Sequence, residues 1–284
     1  MILIADSGST KTDWILIDEI LNHRTYFEGL GLNPYYSDSE IVSKEVIRLF
    51  KSLDISSVSR IHFYGAGCST QANKQIISKG LQSLFSQTKI EVFHDLEGAA
   101  HALCKTSEGV ACILGTGSNA AYFDGKSILQ SAVSLGYLLG DEGSGNQLGK
   151  KLIHAIFLKT APDELIRDFQ KTFDLSLENL LIELYQKPSP NRFLASFAKY
   201  IRQNKKNPFI LDLIHKTFKE FLDLVVEPLN PHKILPVHFT GSIAWFFKDE
   251  LEDAVKKSGF ILGRITQKPI EDLADYHFSL QSKQ

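Results

Sequence analysis

Asp6, Gly8, Ser9, Thr10 and Lys11 crowd into one short stretch between two apolar runs at 2–5 and 14–17. Small residues in a hairpin turn leave backbone N–H groups uncovered, and such groups can converge on an anion. Ser7, Ser9 and Thr10 add hydroxyl donors and Lys11 a positive point charge, so the turn suits phosphate oxygens. Asp6 would repel a phosphate, yet a carboxylate at that place suits a hydrated Mg2+ bridging phosphates. Taken alone, the same residues also make an ordinary polar hairpin.

Gly115, Thr116, Gly117 and Ser118 repeat the chemistry about 110 residues later, without the carboxylate, and Asn119 follows them. Glycine admits close approach of backbone to ligand, and the hydroxyls donate. Two donor-rich turns opening two halves of one chain are expected to hold a polyphosphate from both sides of a cleft. The chain has neither a GxxxxGK[ST] loop nor a GxGxxG fingerprint, so the nucleotide sites those motifs mark are excluded. Near the end, Gly241 and Ser242 join a strand pattern to a helix pattern. Glycine there lets an adenine ring lie against the backbone, although Ser242 reads equally as a helix N-cap.

The carboxylates come next. Asp95 falls where a strand at 90–94 gives way to a helix at 96–103. It reads as an N-cap, with Glu97 favourable near the positive helix end. The carboxyl edge of an α/β sheet is also where ligands bind, and an aspartate there can take the proton of an attacking hydroxyl. Asp141 lies in a Gly-Asp-Glu-Gly-Ser-Gly turn at 140–145 and either caps a helix or accepts sugar hydroxyls. Asn33, in a loop expected at 29–34, offers an amide.

The elements that must position these residues alternate. Strands are expected at 2–5, 14–17, 24–27, 61–64 and 90–94, and helices at 39–53 and 73–85. A strand–turn–strand unit then restarts at 110–123, which points to an internal duplication. Residues 145–228 read as almost continuous helix with core-facing apolar stripes, followed by a strand at 237–240, a helix at 242–257, a short strand at 261–265 and a terminal helix. The alternation gives an α/β fold.

Composition narrows the rest. With 284 residues, 43% hydrophobic and 23% charged, the chain is globular, and a net charge of −2 gives no pull toward nucleic acid or anionic membrane. Lys150 with Lys151 and Lys205 with Lys206 read as solvated helix faces. Cys68, Cys104 and Cys112 form no CxxC pair and are expected as buried thiols in a reducing compartment. The opening residues run into a strand without a leader pattern, so a cytoplasmic protein is expected.

Together DSGSTKTDW (6–14), GAG (65–67), DLEGAA (95–100), GTGSN (115–119), GDEGSG (140–145) and TGSIA (240–244) resemble the BadF/BadG/BcrA/BcrD-type ATPase family and, within it, the N-acetylglucosamine kinases. The resemblance implies two ribonuclease-H-like lobes of the actin-like ATPase type around a central cleft, at 1–105 and 106–284. It places a helical insertion at about 145–228 in the second lobe and returns the terminal helix to the first. It implies ATP and Mg2+, with N-acetylglucosamine converted to its 6-phosphate.

By the same resemblance Asp6 is the magnesium-side carboxylate. Gly8, Ser9, Thr10 and Lys11 form the first phosphate hairpin, and Gly115, Thr116, Gly117 and Ser118 the second. Gly241 and Ser242 lie in the adenosine motif. Asp95 is the catalytic base, and Asn33, Asn119, Asp95 and Asp141 contact the sugar. Ser134, Leu135, Gly136 and Tyr137 stand where the animal enzymes carry a Gly-Trp-Gly-like stretch, so glucosamine or another amino sugar stays open. Two rivals are an iron–sulfur ATPase activator of a radical enzyme and a sugar sensor without catalysis. The partner implied is a small amino sugar, not nucleic acid or membrane; a homodimer is left open.

Overall fold

The computed structural model describes residues 1–281 apart from Ser9, Glu19, Ile20, Asn22 and Asp54. The chain divides into two compact units, one made of Met1–Ser107, Gly125–Ser127 and Lys268–Gln284, the other of Glu108–Asp124 and Ile128–Gln267.

In the first unit β1 (Ile2–Ser7), β2 (Lys11–Asp18), β3 (His23–Leu30), α1 (Ser39–Phe50), β4 (Arg60–Gly65), α2 (Gln71–Gln82), β5 (Lys89–His94) and α3 (Asp95–Leu103) follow in order. The sheet order is β3-β2-β1-β4-β5, antiparallel on the β2 side of β1 and parallel on the β4 side. Alternation along the strands builds two cores. Leu3, Ala5, Trp14, Ile61 and Phe63 pack with α1 and α2, which begin at the N-caps Asp38 and Thr70. Ile2, Ile4, Ile15, Ile17 and Tyr64 pack on the opposite face with Ala102 of α3 and with Ile270, Leu273 and Ala274.

The expected loop at 29–34 begins later than the sequence indicates. Gly29 and Leu30 continue β3, because Thr12 and Lys11 pair with them across the ladder and the Thr12 hydroxyl donates to Leu30 O at 2.7 Å. Long-range pairing outweighs the turn preference of glycine there.

The second unit repeats the pattern. β6 (Glu108–Leu114), β7 (Ser118–Asp124) and β8 (Ile128–Ser131) precede a helical stretch, and β9 (Pro236–Thr240) and β10 (Ile261–Thr266) complete a sheet of order β10-β9-β6-β7-β8. The strand-by-strand parallel and antiparallel sense matches that of the first sheet. The stretch holds α4 (Gly136–Leu139), α5 (Gly145–Phe157), α6 (Asp163–Thr172), α7 (Leu177–Tyr185), α8 (Pro190–Ser196), α9 (Ala198–Gln203) and α10 (Pro208–Phe221), then a π-helical turn at Leu222–Val226. Its apolar stripes bury Leu165, Ile166, Phe169, Ile214, Phe218 and Phe221 in one core with Val110, Cys112, Val237 and Phe239 of the sheet. β8 was not expected from the sequence.

The single helix expected at 242–257 is two, α11 (Ser242–Phe246) and α12 (Lys248–Lys257). Phe247 leaves helical geometry between them while burying its ring. All three cysteines are buried.

The terminal helix α13 (Ile270–Gln281) docks on the first sheet through histidines. His277 stacks on His62 with ring centroids 3.7 Å apart, and the Tyr64 hydroxyl bonds His277 Nε2 at 2.8 Å and His101 Nδ1 at 3.0 Å. Burial pushes His62 and His101 down to about 4 and His277 to about 3. Glu91 and Glu97 oppose the fall at His62 and His101, while Arg60 and Lys89 deepen it at His62.

These folded-state values lie below the ordinary histidine value, so the unfolded chain binds protons first as pH falls. Stability is therefore full above pH 6.5 and lost on acidification toward pH 4, by roughly 3 kcal/mol for a histidine displaced by two units or more. Thermal melts from pH 7 to pH 4 should show this fall, and His277→Phe should flatten it. A wild-type midpoint constant over that range would contradict the cluster's role.

Candidate active site

In the first unit the turn after β1 is tied down by its flanking hydroxyls. Ser7 Oγ and Thr12 Oγ1 lie 2.7 Å apart, and Ser7 Oγ accepts from Leu32 N–H at 3.0 Å. The Ser7 hydroxyl is thus buried and used by the fold, which corrects its reading as a phosphate donor. Gly8, Thr10 and Lys11 are exposed, with Gly8 N–H donating to Lys11 O at 3.0 Å. Ser9 lies outside the described residues.

Asp6 stands directly across the β1–β2 ladder from Asp13, so both carboxylates occupy one sheet face. Burial pushes Asp6 up to about 7, and Asp13 and Asp95 push the same way, with Lys11 and Lys268 opposing. Asp13 is held by Lys11 Nζ at 3.0 Å and by Lys268 Nζ at 2.9 Å. Asp13 was within reach of sequence reading, since it lies in the same polar motif. Lys268 carried no local signal, being 255 residues from its partner.

Asp95 opens α3 but is not its N-cap. His94 takes that position, its Nδ1 accepting from Leu96 N–H at 3.4 Å while Glu97 accepts the His94 N–H at 2.7 Å. The Asp95 carboxylate is thereby freed from capping. Its Oδ1 is enclosed, 3.0 Å from His94 Nδ1, and has no hydrogen-bond partner among the described residues. Burial raises Asp95 above the ordinary carboxylate value, against His94 and the Leu96 N–H. Asn33 is buried, its Oδ1 accepting from Tyr35 N–H at 3.0 Å. It packs against Gly67, where an added Cβ would meet that oxygen at 2.4 Å. Asp6 and Asp95 thus share one electrostatic neighbourhood, and Asn33 joins the Gly65–Gly67 turn.

The second unit gathers the remaining candidates. Gly115 N–H donates to Gly117 O at 2.9 Å to close the β6–β7 turn. The first amides of α5 hold that turn, Gly145 N–H to Gly115 O at 2.9 Å and Asn146 N–H to Thr116 O at 3.0 Å. Asp141, at φ +64, accepts from Ser118 N–H at 3.2 Å, and its carboxylate lies 2.9 Å from where a Cβ of Gly117 would sit. Burial raises Asp141, with the Ser118 amide and Lys150 opposing. Asn119 Oδ1 accepts from Ala120 N–H at 2.9 Å.

Gly241, not Ser242, is the N-cap of α11; Ser242 is exposed in its first turn. Lys150 is no solvated charge either: it is half-buried and donates to Tyr137 O, while Lys151 pairs with Glu220 at 2.6 Å. Lys205 pairs with Glu250 at 2.9 Å.

No family model matches the chain. A solved structure from Porphyromonas gingivalis, provisionally named as an N-acetylglucosamine kinase, matches with a TM-score of 0.93 at 39% identity, over 99% of this chain and 100% of that one. Another from Chromobacterium violaceum, under the same provisional name, has a TM-score of 0.73 at 17% identity over 97% and 98% of the two chains, and shows the fold alone. A curated N-acetylmuramic acid/N-acetylglucosamine kinase from Clostridium acetobutylicum is 29% identical over 169 residues, 57% of this chain, and the match spans about half of that protein, 54%.

The two repeated five-stranded sheets are those of the actin-like ATPase type found in sugar kinases. Within that class, the chain belongs to the N-acetylglucosamine kinase family.

Gly241 tests the second turn. It sits at φ +110, and an added Cβ would come within 2.4 Å of Leu114 O. Gly241→Ala should therefore cost about 1–3 kcal/mol of stability in urea unfolding. An unchanged midpoint would show that the turn has room to relax.

Proposed function

We propose that this protein transfers the terminal phosphoryl group of ATP to the 6-hydroxyl of N-acetylglucosamine. The observation that carries the reading is the Asp95 carboxylate: raised by burial, its Oδ1 without a hydrogen bond among the described residues and 3.0 Å from His94 Nδ1, at the end of a parallel strand beside Asp6. A base for a sugar hydroxyl needs a desolvated carboxylate whose proton affinity exceeds the ordinary one.

In this reading the sugar 6-hydroxyl gives its proton to Asp95 as its oxygen bonds the terminal phosphorus, and the bond from that phosphorus to the ADP oxygen breaks. Phosphoryl transfer asks the protein mainly to position reactants and offset charge. Gly8, Ser9, Thr10 and Lys11, with Gly115, Thr116, Gly117 and Ser118, take phosphate oxygens. Gly241 and Ser242 lie along adenosine, and Asn33, Asn119 and Asp141 take sugar groups.

Asp6 would hold Mg2+, which supplies neutralisation of phosphate charge. The donor set fits such an ion. No group of three or more His, Cys, Asp or Glu among the described residues forms a metal cage, and Mg2+ on nucleotides characteristically uses one or two carboxylates with water and phosphate. Asp6, lifted by burial and by two neighbouring carboxylates, gains from a cation.

The family name of the Clostridium relative brings N-acetylmuramic acid into the substrate panel beside glucosamine. Burial pushes Cys68 and Cys104 up to about 12, which disfavours their serving as thiolate ligands of a shared iron–sulfur cluster. No described helix is long and apolar enough to cross a membrane. A cytoplasmic setting belongs to the proposal and rests on the small number of cysteines and the lack of a CxxC pair among them.

Asp95→Asn removes the base and keeps the shape. We expect kcat in an ADP-release assay to fall about 10²–10⁴-fold, with ATP affinity within about twofold of wild type. A variant that kept a tenth or more of wild-type turnover would place the base elsewhere.

A further inference from the structure

The segment before Asp141 has little apolar anchorage. Leu135, Leu138 and Leu139 are exposed, α4 buries no residue and has no side-chain cap, and Gly136 and Asp141 both adopt left-handed backbone at φ +68 and +64. Its polar anchorage comes from α5. Asn146 Nδ2 donates to Tyr137 O at 3.0 Å, and Lys150, one helical turn on and so on the same face, donates to the same carbonyl.

Asn146 does more than this. Its backbone N–H holds Thr116 O, and its side chain lies close enough to Asp141 to favour the ionised carboxylate. The residue is fully buried, and its Oδ1 has no partner among the described residues. A leucine would fill such a place without an orphaned oxygen, so the amide's donors are what the position needs. Lys150 is half-buried, and Asp141 and Glu142 favour its charge against that burial.

We propose that Asn146 and Lys150 are positioning residues for the sugar: by clamping the Tyr137 carbonyl they fix the 134–140 loop and aim Asp141. The inference rests on the sugar-kinase reading above and extends it to two residues outside the recognised motifs. Because Asn146 holds Thr116 through its backbone, side-chain changes leave the phosphate turn in place. The effect falls on sugar affinity rather than nucleotide affinity.

The test uses Asn146→Leu, which keeps volume without donors, Lys150→Met, which keeps the stem without charge, and Lys150→Arg as the conservative rescue. Each of the first two should raise the sugar KM about tenfold or more, as loss of a buried or charged hydrogen bond does, with the ATP KM within about twofold. Hydrogen–deuterium exchange at 134–141 should quicken in both, and Lys150→Arg should restore sugar KM and protection.

Unchanged sugar KM, or an equal rise in both KM values, overturns the proposal even if the proteins melt earlier, because that is what a merely structural role produces. Calorimetric sugar binding keeps the two readings apart. Wild type that binds N-acetylglucosamine without turnover sinks the kinase reading alone, and a variant sugar Kd equal to wild type's sinks the clamp.

Discussion

Two carboxylates placed face to face across an antiparallel ladder repel, and the Asp6–Asp13 pair is the constraint from which the arrangement of the first unit's candidate residues follows. The sheet tolerates the pair because Lys11 and Lys268 converge on Asp13, while burial and the neighbouring carboxylates raise the proton affinity of Asp6. Lys268 comes from the segment leading into α13, so docking of the terminal helix and the charge state of the β1 edge are linked in one network. Asp95 joins the same field from α3, which lies on the sheet face that both aspartates share.

The second unit solves a related problem with different parts. Both sheets run in the same strand order, and in both a short turn joins the central strand to its antiparallel neighbour. One pair in from the first turn the facing residues are Asp6 and Asp13, whereas one pair in from the second they are Ile113 and Asn119. There the organising charge is Asp141, held by the Ser118 amide, while the first amides of α5 pin the turn carbonyls. One topology thus carries an acidic turn suited to a cation and a donor-rich turn suited to an anion.

Much of this was legible in the residues. Alternation and turn chemistry gave the strand–turn–strand units at both ends of the repeat, and Asp6, Asp95 and Asp141 stood out as carboxylates at strand or helix junctions. What escaped sequence reading depends on distant partners. Gly29 and Leu30 are strand because Thr12 and Lys11 pair with them. Asp95 yields the N-cap to His94 because Glu97 reaches back to complete that cap. Lys150 resembled any surface lysine until the fold brought the Tyr137 carbonyl to it. Local preference does not record which carbonyl a side chain will meet.

In the proposed reaction an aspartate whose proton affinity burial raises activates a primary sugar hydroxyl toward a bound triphosphate. Proton-coupled 31P spectroscopy of the product made by wild-type protein from Mg·ATP and N-acetylglucosamine reads this most directly. A phosphomonoester signal split by two methylene protons, growing with ADP, is the expected result. A signal split by the single anomeric proton, or ATP left intact with every amino sugar, would contradict it.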